Sequence, residues 1–151
     1  MSGNERGTPA AEKYRTVVIP TDGSDGAAYA AEHGLMLANA FDATAHAVSV
    51  QEGAGSIQRD QLRTSPADVA AEAVESVAEN AAQQNVDVRT ATPSSGTPSE
   101  ALLAYIEEVD ADVVVMGTHG RTGIQQAIFG SVAEKLVRNS PVPVMTVRPP
   151  Q

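Results

Sequence analysis

The sequence predicts an α/β fold: one domain built on an open, parallel, five-stranded sheet with helices on both faces. Three observations carry this. Strand signals and helix signals alternate along the chain, the pattern of parallel strands joined by crossover helices. The first apolar run, Thr16 to Pro20 (TVVIP), is continuous in β-branched residues rather than alternating, as strands buried on both faces are. A glycine-rich junction, Gly117 to Ser131, lies between a later β-branched run and a helix start, and junctions of this kind sit at the carboxyl edge of such sheets.

Each element has its own signal. After the first strand, Ser24 caps a helix in which Ala27, Ala30, Ala31, Gly34, Leu35 and Ala38 form a stripe of small residues suited to close packing on a sheet. Thr44 to Val50 (TAHAVSV) reads as the second strand, and Gln51 to Thr64, aperiodic and glycine-bearing, as a mobile loop. Ser65 then caps a helix with Pro66 at its first position and Ala70, Ala73, Val74, Val77, Ala78 and Ala81 on its apolar face. Val86 to Ala91 is a short third strand. Thr97-Pro98-Ser99-Glu100 combines a capping box with a first-turn proline, so a third helix starts there, turns Leu102, Leu103 and Ile106 inward, and ends near Val109. Ala111 to Met116 is the fourth strand, Ser131 to Asn139 the fourth helix and Val142 to Val147 the fifth strand. Right-handed crossovers then make one twisted sheet, whose ligands bind outside the carboxyl ends of the strands where strand order reverses. The junctions after Pro20 and after Met116 are the two to inspect.

Composition narrows the function. At 151 residues the chain has the length of one domain: 1–12 is expected to be a flexible polar tail, and 13–151 the folded unit. It contains no cysteine, which excludes disulfides, thiolate metal sites and a thiol nucleophile and fits a reducing cytoplasm. There is no signal-like apolar core near the start and no run of the ~20 apolar residues that a membrane span needs, so no membrane partner is expected. The net charge of -9, from 19 acidic and 10 basic residues, with no segregated basic patch, argues against nucleic acid as a partner.

The chemistry concentrates in GTHGRTGIQQAIFGS, where Gly117, Gly120, Gly123 and Gly130 lead to Ser131. Glycines let backbone approach a ligand and permit the positive-φ turns by which consecutive N–H groups converge on an anion. Ser131-Val132-Ala133-Glu134 reads as another capping box, and the helix it opens would present its first N–H groups and the positive end of its dipole to a phosphate. Neither G-x-x-x-x-G-K-[ST] nor G-x-G-x-x-G occurs in this loop, so a classical phosphate-loop ATPase and a dinucleotide enzyme both lose their main support.

The spacing Gly, two residues, Gly, nine residues, Gly, Ser is met in full by Gly117, Gly120, Gly130 and Ser131, and in this the chain resembles the ATP-binding subgroup of the universal stress protein family. The likeness extends to Pro20-Thr21-Asp22-Gly23-Ser24, to Gly96-Thr97-Pro98 and to the closing strand Pro143 to Val147, spanning about Lys13 to Arg148. It implies a Rossmann-like, adenine nucleotide α-hydrolase-like sheet of order 3-2-1-4-5, ATP with Mg²⁺ as ligand, and a homodimer through the last strand, Val142 to Val147. Carried over by position, it makes Pro20, Thr21, Asp22 and Val50 ligand-binding, with Asp22 and the backbone near Val50 at the adenosine end. Met116, Gly117 and Gly120 then serve ribose and phosphate, and Gly130, Ser131 and Val132 the polyphosphate. Gln51-Glu52 departs from the family, whose members mostly have an apolar or acidic residue after the second strand.

Other residues carry less. His33, His46 and His119 lack metal-site spacing, Arg121 is a secondary phosphate candidate, and the acidic run Glu107 to Asp112 reads as a solvated helix end and turn. No general base, phosphate-loop lysine or arginine finger is set by motif, so no catalytic residue is assigned. The function expected is an ATP-binding regulatory or protective module of the stress response. The alternatives are a slow Mg²⁺-dependent ATP hydrolase, a member that uses sheet and dimer without nucleotide, and a flavodoxin-like or nicotinamide-dependent oxidoreductase on a similar sheet.

Overall fold

A computed structural model of the chain describes residues 14–52, 65–119 and 129–150. The expected tail 1–12, most of the loop Gln51 to Thr64, and Gly120, Arg121 and Gly123 lie outside these residues.

Five strands and four helices alternate: β1 (Thr16–Pro20), α1 (Asp25–Phe41), β2 (Thr44–Val48), α2 (Pro66–Gln83), β3 (Val88–Ala91), α3 (Pro98–Glu108), β4 (Val113–Gly117), α4 (Ser131–Asn139) and β5 (Val144–Val147). The strands form one sheet of order β3-β2-β1-β4-β5, all pairs parallel. This is the order expected. Strand order reverses between β1 and β4, where two crossovers leave in opposite directions and open a crevice at the carboxyl edge.

Alternation along the strands separates two cores. Val17, Ile19, Ala45, Ala47, Val113 and Val115 face one way and pack with the alanine-rich faces of α1 and α2. Val18, Val48, Val114 and Met116 face the other way, onto Leu102 and Ile106 of α3 and Ala133 and Leu136 of α4. The six residues of the stripe expected on α1 are the six that helix buries, with Gly34 turned onto the sheet: a Cβ there would lie 2.7 Å from Ile19 Cδ1. Ala78 of α2 and Leu103 of α3 are only half-buried.

Two strands, β3 and β4, start later than the sequence suggests, for a shared reason. Asp42, Asn85 and Asp110 take left-handed backbone at the ends of α1, α2 and α3, with φ of 56°, 60° and 58°. The next residue then donates its N–H back into the helix: Ala43 to the Ala38 carbonyl, Val86 to Ala81 and Ala111 to Ile106. Each is a helix-terminating motif with Asp or Asn where glycine is commoner. Val86 and Ala111, read as strand starts, are therefore the apolar plugs of these motifs. At the last strand, Pro141 and Pro143 have no N–H to pair, and regular pairing begins at Val144.

The acidic run ends differently from expectation. Asp112 is not merely solvated: its Oδ2 accepts from the N–H groups of Arg15 at 2.8 Å and Thr16 at 3.0 Å, tying the start of β1 to that of β4.

Candidate nucleotide site

A cavity of about 510 Å³ opens at the reversal point. Among its lining residues are Pro20, Thr21, Asp22, Val50, Met116, Gly117, Gly130, Ser131 and Val132. These are all the site residues expected from sequence except Gly120, which lies outside the described residues. The topology brings them together: segments distant in sequence leave neighbouring strands at the same sheet edge.

The turn after β1 is wired locally. The Thr21 N–H donates to the Val48 carbonyl at 2.9 Å, Thr21 Oγ1 accepts from the Gly23 N–H at 3.2 Å, and Asp22 Oδ1 accepts from the Ser24 N–H at 2.9 Å. Gly23, at φ 83°, completes a bend that needs glycine. Asp22 is thus a turn residue and a cavity residue at once. On the β2 side, pairing ends at Val48, and Val50 follows in a segment pinned by Ser49 N–H to the Ala91 carbonyl and Gln51 N–H to the Pro93 carbonyl.

Gly117 and Gly130 serve the β4 junction in ways other than a positive-φ turn, and Gly120 and Gly123 lie outside the described residues. Gly117 ends β4, and a Cβ there would lie 3.3 Å from the Gly26 carbonyl oxygen, so its lack of a side chain lets the first turn of α1 seat on the strand. Gly130 is extended, at φ -75° and ψ 171°, a conformation open to any residue. Among the described residues the positive-φ glycines are instead Gly23 and Gly96. The Gly130 N–H donates to the Thr118 carbonyl.

Ser131 does not cap α4. Gly130 is the N-cap and Ser131 the first helical residue, so Glu134 falls one position late for a box and pairs with Arg138 at 3.3 Å. The consequence is chemical. The N-caps of the other helices accept N–H groups: Ser24 from Ala27, Ser65 from Asp68, Thr97 from Glu100. At α4 the glycine cap offers no side chain to the first N–H groups, and the residues that carry them, Ser131 to Ala133, line the cavity at the positive end of the helix dipole.

Sequence reasoning gave no ligand role to part of the lining: Ser49 and Glu52 after β2, Thr97 to Ser99 at the start of α3, and Lys135 on α4. The signal for α3 was present, because in a parallel sheet every helix begins at the edge where strands end. Lys135 stands one turn after Ser131, on the same helix face.

His46 and Tyr105 share a hydrogen bond of 2.8 Å and meet edge to face, joining β2 to α3. Burial, and then the charge of Arg89 on β3, hold the His46 imidazole below its ordinary pKa. Burial, and then Glu108, push the Tyr105 phenol up against the opposing influence of Arg89. His46 is therefore a structural histidine. Its folded pKa is depressed, so its contribution to stability is complete above the ordinary imidazole range and is lost on acidification, when unfolding takes up a proton.

Fold and cavity together define a doubly wound α/β protein with a ligand-sized crevice at its topological switch point. The chain belongs to the Universal stress protein family, whose sequence profile matches residues 13–148. Universal stress protein MJ0531 of Methanocaldococcus jannaschii is 33% identical over 148 residues, covering 91% of this chain and 84% of the relative. Among solved structures, the protein MJ0577 superposes with a TM-score of 0.75 at 22% identity, over 92% of this chain and 99% of its own. A universal stress protein in complex with cAMP superposes with a TM-score of 0.69 at 26% identity, over 89% of this chain and 97% of its own. Among the described residues, no helix is long and apolar enough to cross a membrane.

Proposed function

We propose that the chain binds ATP, with Mg²⁺ carried on the triphosphate, and acts in the cytoplasm as a regulatory or protective module of the stress response. The observation that carries this reading is the convergence of Pro20, Thr21, Asp22, Val50, Met116, Gly117, Gly130, Ser131 and Val132 on one cavity at the switch point. Its volume, about 510 Å³, falls within the range of roughly 300–1,000 Å³ usual for small-molecule sites. In this reading Asp22 and the backbone at Val50 take the adenosine, Met116 and Gly117, with Gly120, the ribose and first phosphate, and Gly130, Ser131 and Val132 the remaining phosphates. The α4 amides without a side-chain cap support the phosphate end, since such groups favour an anion. The similar protein that holds cAMP supports the adenosine end, because cAMP shares that half of the ligand.

Calorimetry with ATP and Mg²⁺, AMP, cAMP, NADH and FMN tests the reading. ATP is expected to bind with micromolar to submillimolar affinity, ahead of NADH and FMN. A folded protein that takes up no heat with millimolar ATP abandons it.

The same reading makes the protein a homodimer through β5. That strand lies at a sheet edge, and Met145 on it is 43% exposed. An apolar edge with unpaired backbone groups favours pairing with a second copy about a two-fold axis. Sedimentation at micromolar concentration is expected to give a dimer for the parent and a monomer for Val144→Lys. A monomeric parent rejects the dimer, and a dimeric variant moves the interface elsewhere.

A further inference from the structure

The cavity at the carboxyl edge is electrically asymmetric. Among the described residues, its ionisable lining residues are Asp22 after β1, Glu52 after β2, His119 after β4 and Lys135 on α4. Across the sheet β2 and β1 adjoin on one side of the reversal point, while α4 packs on α3 and on β5, beyond β4, on the other. The two carboxylates thus stand at one end of the cavity and the ammonium at the other.

Lys135 is one of two lysines in a chain of net charge -9. It is the fifth residue of α4, and helical side chains lean back over the turn N-terminal to their own Cα, which here is the turn of Ser131 and Val132. Its neighbour Glu134 is engaged with Arg138, and among the described residues no carboxylate lies within ion-pair distance of Lys135. A cation leaning toward the positive end of a helix dipole is unfavourably placed, and an anion bound over the same amides reverses that sign. Lysine suits the task as a compact point charge on a long stem, able to follow a phosphate chain without demanding one geometry.

Resting on the nucleotide reading above, we infer that Lys135 is the residue by which this site counts phosphates. It sets a preference for a polyphosphate nucleotide over a monophosphate or a nucleoside. This agrees with the ligand direction of the reading above, with phosphates toward α4 and base toward the Asp22 and Glu52 end, where ribose hydroxyls and a base amine find acceptors.

The test is titration of adenosine, AMP, ADP and ATP into the full-length parent, Lys135→Met and Lys135→Arg, at low and high salt. For the parent, affinity should rise with each phosphate. Lys135→Met should lose about fivefold for ATP, less for AMP and nothing measurable for adenosine, as expected of one charge-assisted contact. Arginine should restore most of the loss, high salt should shrink it, and the melting temperature without ligand should stay at the parent's value. Equal losses for adenosine and ATP would make the role structural and overturn the inference. A full ladder retained in Lys135→Met also overturns it while leaving nucleotide binding intact, and a folded parent that binds none of the four overturns both.

Discussion

Replacing Gly34 with valine is expected to destabilise the folded chain by about 3 kcal/mol, the upper part of the range for overpacked cores. Gly34 lies in the middle of α1, where a Cβ would stand 2.7 Å from Ile19 Cδ1, 2.8 Å from Ile19 Cγ1 and 3.4 Å from Val115 Cβ. Ile19 and Val115 have no exposed surface, so neither can swing outward to make room. Alanine at the same position sets two terms against each other. It gains helix propensity of about 1 kcal/mol over glycine, and it forces the same Cβ into Ile19. Valine adds two further methyl groups at that point and keeps little of alanine's propensity advantage, so packing decides. A control lies on the same helix: a Cβ at Gly26 would meet Pro149 Cγ only at 3.9 Å, so Gly26→Ala should be neutral or stabilising by a few tenths of a kcal/mol. Urea unfolding measures both. Adding Ile19→Ala to Gly34→Val should recover part of the loss, because it removes both offending carbons, a coupling of opposite sign to the single losses. If Gly34→Val unfolds at the parent's urea concentration, α1 is not seated on β1 at this distance.

That close packing was legible in sequence, because a stripe of Ala and Gly at helical spacing has few uses other than bringing a helix down onto a sheet. The sheet itself was legible from its doubly buried β-branched runs. The strand order was not: residues alone give alternation and handedness, and 3-2-1-4-5 came with the family resemblance. Caps at Ser24, Ser65 and Thr97 could be read because the interaction spans three residues. The same rule misplaced the cap of α4, though not its bounds, since Ser131 and Glu134 satisfy the box spacing while the extended residue is Gly130. Strand starts were misread where Asn85 and Asp110 take left-handed backbone, because Val86 and Ala111 are as apolar as strand residues although their N–H groups point back into a helix. Asp112 escaped because its partners, Arg15 and Thr16, are almost a hundred residues away, and no local pattern encodes such a contact. The reason for glycine at Gly117 was hidden likewise: it depends on Gly26, from another element.

Gly130→Val is expected to weaken ATP binding at least tenfold, or about 1.4 kcal/mol, while the protein stays folded. Two features of the position separate these effects. Its backbone, at φ -75° and ψ 171°, suits any residue, so valine introduces no torsional strain. As the N-cap, glycine is better than valine by no more than about 1 kcal/mol, which bounds the loss of stability. The binding loss has another origin. In the proposed reading the α4 amides take a phosphate because the glycine cap offers them no side chain, and a branched Cβ at residue 130, on the cavity lining, would crowd its approach. Serine sharpens the test. The hydroxyl introduced by Gly130→Ser can accept from an N–H of the first turn, as Ser24 does from Ala27 at 3.2 Å, so this variant should leave stability unchanged or raise it slightly. It occupies the amides in doing so, and ATP affinity should fall. Stability and affinity then move apart in one variant, which general damage to the fold cannot produce. Melting curves without ligand and calorimetry with ATP give the two readings, and a folded Gly130→Val protein that binds ATP within a factor of two of the parent removes the start of α4 from the site.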